Sequence, residues 1–153
     1  MISSFDESNL YLENVHDNIP NLIAIRLHIS NPSSTAFTIT GATLKHGSEL
    51  YEAIALNIKD RRNSNGVTLI EKKPKDINTI DAIYLNISSE NLFNNPRLEP
   101  NSSSYFYVTF EDVAPLHKFK EFELTLFYNK KRFSTKVTVN LPPKDLDLLR
   151  QYL

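Results

Sequence analysis

Four histidines, His16, His28, His46 and His117, are the side chains best suited to binding a metal ion or moving a proton near neutral pH. None belongs to a His-x-His or His-Glu-x-x-His pattern, the spacings that present two ligands from one element. Glu13 stands close to His16 and Asp17 and could help to hold a cation, but an ordinary polar loop accounts for the same trio. His46 and Ser48 lie together in Lys45-His46-Gly47-Ser48-Glu49, yet the Gly-x-Ser-x-Gly elbow that poises a serine nucleophile is missing, and a turn explains the segment. The paired acids Glu111 and Asp112 would serve as general acid and base only if a cleft set two carboxylates across a substrate. The three glycines, Gly41, Gly47 and Gly66, are too scattered to write a phosphate-cradling loop. With no cysteine there is no thiol nucleophile, disulfide framework or thiolate metal site. The expectation is a chain without catalytic residues, metal or cofactor, and not an enzyme.

Binding chemistry is better represented. Basic clusters stand at Arg61-Arg62, at Lys72-Lys73 with Lys75, and at Lys130-Lys131-Arg132. Two of these fall at or near expected hairpin tips, where charge keeps sheet ends soluble and discourages edge pairing. Nucleic acid would require such clusters to converge with aromatic platforms, and the formal net charge of -1 supplies no global attraction to it. Tyr105, Tyr107 and Phe127 are expected on outer strand faces, where aromatic rings either pack in the sheet or make a contact surface. Arg132 should lie beside Phe127, a placement that would allow a cation–π contact with it. Leu146, Leu149 and Leu153 recur at helical spacing and must dock on the rest of the chain or on another subunit.

The elements that must carry these side chains are mostly strands. At 153 residues, 41% hydrophobic and 23% charged, the chain has the size and composition of one globular domain with its own core. In Leu22 to Ser30, Ile23, Ile25, Leu27 and Ile29 alternate with Ala24, Arg26, His28 and Ser30, which predicts one core face and one wet face. Asn31-Pro32-Ser33-Ser34 supplies a turn. Ala36 to Leu44 is extended again, and Gly41 predicts a bulge that resets the inward residues to Ala42 and Leu44. Glu49 to Lys59 suits a strand as well as a helix, with strand preferred. Asn65-Gly66 has the composition of a type I′ hairpin turn, with Val67 to Lys72 as the returning strand.

Ile83, Leu85 and Ile87 alternate, and Ser88 to Pro100 reads as a long connection. Tyr105 to Phe110 should place Phe106, Val108 and Phe110 on one face and Tyr105, Tyr107 and Thr109 on the other. The pair Glu121 to Tyr128 and Arg132 to Asn140 surrounds a turn at Asn129-Lys130. A two-residue turn there sets Phe127 opposite Arg132, Leu126 opposite Phe133, Leu124 opposite Thr135, Glu123 opposite Lys136 and Phe122 opposite Val137. After Pro142-Pro143 a short helix is expected over Lys144 to Leu153, with Asp145 and Asp147 near its start and Arg150 near its end.

The phrases Ile23 to Ser30 leading into Asn31-Pro32, and Leu98-Glu99-Pro100-Asn101-Ser102 leading into Tyr105 to Phe110, resemble those of immunoglobulin-like and fibronectin-III-like sandwiches. An antibody-type domain is excluded, because the chain has neither Cys nor Trp. The expected architecture is all-β, an antiparallel β-sandwich of immunoglobulin-like kind over residues 1–141, with a helical tail over 142–153. That architecture carries many functions and prescribes none.

The expected function is a non-catalytic protein-interaction module, binding a protein partner or a second copy of itself through Tyr105, Tyr107, Phe127, Arg132 and the leucines of the tail. The alternative is a carbohydrate-binding or cell-surface-associated module in which Tyr105 and Tyr107 stack on sugars. No stretch has the length of a membrane span, and the acidic N-terminal residues lack a secretory pattern, so a cytoplasmic location is expected unless the domain is excised from a longer, exported chain.

Overall fold

The structure, a computed structural model, describes residues 2–4, 6–16, 18–76, 78 and 80–149. Twelve strands form among them: β1 (Ile2–Ser4), β2 (Leu10–His16), β3 (Ile19–Asn31), β4 (Phe37–His46), β5 (Glu49–Glu52), β6 (Val67–Glu71), β7 (Ala82–Leu85), β8 (Arg97–Leu98), β9 (Ser102–Glu111), β10 (Lys120–Tyr128), β11 (Lys131–Val139) and β12 (Leu146–Leu148). The only helical turns among the described residues are short 3-10 segments at Asp6–Ser8 and Leu92–Asn94. The chain is therefore all-β, and every ladder between its named strands is antiparallel.

The alternation read from Leu22 to Ser30 becomes the long strand β3, which organises the first sheet. One edge pairs with β9 over Leu22 to Asn31. The other carries β2 against its first half and β1 against its second. Asn9 lies between those two short partners, and its Oδ1 accepts from the Arg26 N–H at 2.8 Å, a side chain standing in where the ladder is interrupted. The second sheet runs β11-β10-β4-β5, with β8 added to β4, and the third runs β12-β6-β7.

Two apolar clusters hold these sheets together. The first takes Ile23, Ile25, Leu27 and Ile29 of β3 with Val108 and Phe110 of β9, and joins them to Ile39, Leu44, Phe122, Leu124, Leu126 and Val137 of the second sheet. The second lies on the opposite face of β3, where Leu22 and Ala24 meet Leu56, Ile58, Val67, Leu69, Leu85 and Leu146. The wet face expected for this strand is thus wet only in part: Ala24 is buried because the third sheet covers it. From Arg26 onward that face opens, and His28 and Ser30 are half-buried.

The bulge at Gly41 forms as expected. Phe127 pairs with Gly41 and Tyr128 with Ile39, which leaves Thr40 as the extra residue and keeps Ile39, Ala42 and Leu44 inward. The β10–β11 hairpin has the expected register residue for residue, from Phe127 opposite Arg132 through Leu126 opposite Phe133 to Phe122 opposite Val137. Its turn residues Asn129 and Lys130 have φ of 47° and 58°, the left-handed values of a type I′ turn.

Three expectations are corrected. The strand preferred over Glu49 to Lys59 ends at Glu52; beyond it the chain is irregular, and Leu56 and Ile58 descend into the second cluster. Asn65-Gly66 does not close a hairpin, since β5 pairs with β4 while β6 pairs with β7 and β12. The preceding loop is held by Asp60, whose Oδ1 accepts from the Asn63 N–H at 2.6 Å and the Arg62 N–H at 2.9 Å, and by Asn63, whose Nδ2 donates to Val67 O and Leu85 O. Gly66 is needed for a close approach: a Cβ there would stand 1.9 Å from the carbonyl oxygen of Leu85.

Finally, the expected C-terminal helix is replaced by a turn at Lys144 and Asp145 followed by the short strand Leu146–Leu148. Leu146 pairs with Glu71 and Leu148 with Leu69, so period-two pairing to β6 prevails over the helical spacing of the leucines. Arg150 and Leu153 lie outside the described residues.

Candidate functional site

Register in the first sheet brings the expected aromatics together with an arginine. Arg26 of β3 stands opposite Tyr107 of β9, and His28 stands opposite Tyr105, all on the face away from the first cluster. The guanidinium carbon of Arg26 lies 4.5 Å from the centre of the Tyr107 ring and 5.4 Å from that of Tyr105, within cation–π range of both. Its Nη2 donates to Glu90 Oε1 at 3.1 Å. Its Nη1 is buried and finds no acceptor among the described residues, while the two ring faces lie beside the guanidinium.

Glu90 is positioned by the connection between β7 and β8, which lies along the free edge of β9. The Tyr107 N–H donates to Glu90 O at 2.8 Å, and Asn91 Nδ2 donates to Thr109 Oγ1 at 2.8 Å. The two tyrosines then differ. Tyr107 lies on the expected face but is only 7% exposed, because the second cluster covers it; burial raises its phenol pKa, the Arg26 charge opposes that shift and the Glu90 charge adds to it. Tyr105 is 50% exposed, and its ring is tilted against His28 with centroids 4.8 Å apart.

Chemically this is a partly exposed aromatic patch with charged and polar margins. A half-exposed aromatic ring is held between an arginine and a histidine, with a carboxylate tying the arginine down. Tyr and Arg in such settings supply a large share of binding energy at protein interfaces, and a ring whose rotamer is already fixed loses little entropy on binding.

The remaining expected residues lie elsewhere. Phe127 and Arg132 are cross-strand partners in the second sheet, separate from the sheet that carries Tyr105. Phe127 packs over the bulge, its Cδ2 3.8 Å from where a Gly41 Cβ would be. The cation–π contact that this pairing would allow does not form; among the described residues such contacts join Arg26 to its two tyrosines and Lys120 to Phe122. Around Phe127 and Arg132 a groove of about 540 Å³ is lined also by Thr40, Tyr128, Lys130 and Lys131. Leu146 belongs to the second cluster, Leu149 is half-buried with its N–H bonded to Thr68 O at 2.8 Å, and Leu153 is outside the described residues.

A further cleft of about 530 Å³ lies where β2 and β12 approach, lined by Tyr11, Glu13, Lys72, His117, Lys144 and Leu146 among others. The Tyr11 hydroxyl donates to Glu13 Oε1 at 3.2 Å. Burial first, and the Glu13 charge second, push the Tyr11 pKa up to about 12, so this phenol is a hydrogen-bond donor and not a base near neutrality. His16 Nδ1 accepts from the Asn18 N–H at 3.2 Å, while Asp17 lies outside the described residues. No group of three or more metal-ligating side chains gathers among the described residues.

Arg26, Glu90 and Asn9 were missed in the sequence as site residues. Arg26 does stand on the wet half of a clear alternation, but its pairing with Tyr107 depends on the register between β3 and β9, strands far apart in the chain. No model of a known protein family matches this chain, and comparison with curated proteins found no match. No helix among the described residues is long and apolar enough to cross a membrane.

Proposed function

We propose that the chain is a non-catalytic protein-interaction module built on an immunoglobulin-like antiparallel sandwich, and that Tyr105, framed by Arg26 and His28, is the centre of its contact surface. The sandwich reading is supported by the single cluster that the first and second sheets share. The functional reading is carried by one observation, the half-exposed Tyr105 ring fixed between Arg26 and His28. Such a ring offers a flat apolar face with polar groups at its margin. Sugar stacking draws less support, since Tyr107 is covered and the patch offers one open ring in place of the expected pair.

The test compares proteins captured from the source cell by the native chain and by Tyr105→Ser. A partner retained by the native chain and lost by the variant, with the variant equally folded, supports the reading. Equal capture by both chains overturns it.

A further inference from the structure

The second sheet ends on β11, whose outer edge pairs with no strand among the described residues, although the turn Asp6–Ser8 lies against part of it. Near its end the edge is covered: Asn9 Nδ2 donates to Thr138 O at 3.2 Å, and Asn140 exchanges backbone bonds with Asn9 and Tyr11. In an antiparallel strand the N–H and C=O of one residue point to the same side, and the side alternates along the chain. The outward carbonyl of Thr138 therefore places the backbone groups of Lys136, Ser134 and Arg132 on the open side too. Among the described residues, no strand pairs with β11 there.

An open edge is a template for another strand, and this one is selective by charge. Lys130, Lys131, Arg132 and Lys136 are exposed; among the described residues Lys136 alone of the four makes an ion pair, with Glu121 at 3.8 Å, and Glu123 stands across from it. The adjoining groove is lined by Lys130, Lys131 and Arg132 with no acidic residue. On the inner face Phe133 and Thr135 are half-buried, leaving apolar surface within reach of a neighbour. An incoming strand thus meets cationic or polar side chains on one face and apolar ones on the other.

We propose that the open edge of β11 binds an extended polypeptide segment of a partner protein that alternates acidic and apolar residues, adding it as a further strand. A second copy offering its own β11 is repelled by like charge. The opposite edge of a second copy, β5, offers four residues, and its Glu49 is already held by Lys120 at 3.1 Å. The edge is independent of the Tyr105 surface, so Tyr105→Ser leaves it intact and the two readings fail separately.

The experiment titrates the full chain with a synthetic peptide alternating Glu and Val, with its Lys and Val counterpart, and with a backbone N-methylated Glu and Val peptide. Amide hydrogen exchange and affinity are read together. The expected result is binding of the Glu and Val peptide alone, with new protection at Arg132, Ser134 and Lys136. Affinity should fall about tenfold when Arg132→Gln and Lys136→Gln are combined. Ser134→Pro, which removes an outward N–H and spares the ladder to β10, should abolish binding; the paired Gln variant keeps the test valid if the proline disturbs folding.

Several outcomes overturn the proposal. They are equal binding of the N-methylated or Lys-containing peptide, protection elsewhere, tighter binding of a single-stranded oligonucleotide at this edge, and edge protection that grows with protein concentration in the absence of peptide.

Discussion

Arg26 stands where the outer face of β3 and β9 changes from covered to open. On one side of it Ala24 and Tyr107 are buried beneath the third sheet; on the other, His28 and Tyr105 face solvent at least in part. Two tyrosines equivalent in the sequence therefore have unequal roles. Tyr105→Ser should change stability by no more than about 0.5 kcal/mol, as exposed substitutions do, while Tyr107→Ser should cost about 3 kcal/mol through lost burial and lost contact with Arg26. Urea denaturation of the two variants separates these outcomes. The alternation that put both rings on one face was legible, but not the cover over Tyr107, because its cover comes from residues remote in the chain. Tyr11 makes a second prediction at this scale. Its pKa rises from 10.0 to about 12 on folding, so the folded chain holds that proton more tightly than the unfolded chain does. The associated stability is complete below pH 10 and is lost as pH climbs through about 12. Tyr11→Phe should flatten this alkaline decline, measured as unfolding free energy against pH.

The elements show which local signals decide structure and which do not. The β10–β11 register was legible in full because both strands and their turn are contiguous, and a one-residue slip would turn Phe122, Leu124 and Leu126 out of the core. Gly41 was legible for the same reason, as an interruption inside one alternating strand. Asn65-Gly66 misled, since it ends a local turn, with the Gly66 N–H donating to Asn63 O at 3.4 Å, and not a hairpin, while the glycine also answers the close approach of the Leu85 carbonyl. The two glycines should respond oppositely to a methyl group. Gly66→Ala drives a Cβ into backbone and should cost about 3 kcal/mol or more, whereas Gly41→Ala meets only Phe127 at ordinary contact distance and should stay within about 1 kcal/mol of the native chain. Thermal denaturation of both variants checks the contrast. The tail misled through a similar ambiguity: Leu146 and Leu149 fit a helix, Leu146 and Leu148 fit a strand, and the waiting edge of β6 chose between them.

Across the whole molecule, β3 is shared by two cores, one on each of its faces. The patch around Tyr105 sits where the second core ends. The mostly β, antiparallel character could be read from short alternating segments between turns. The order of strands could not, because pairing between β3 and β9 joins distant parts of the chain. That pairing creates the patch, which is why its arginine and carboxylate went unseen while its tyrosine did not. The central claim is that Tyr105 is the side chain a partner covers. Tyrosine-directed footprinting in extract of the source cell, set against the purified protein, tests this with an internal control, since Tyr84 is 52% exposed and Tyr105 is 50% exposed. Tyr105 should lose most of its reactivity in the extract while Tyr84 keeps its own; equal reactivity of the two in both settings would contradict the account.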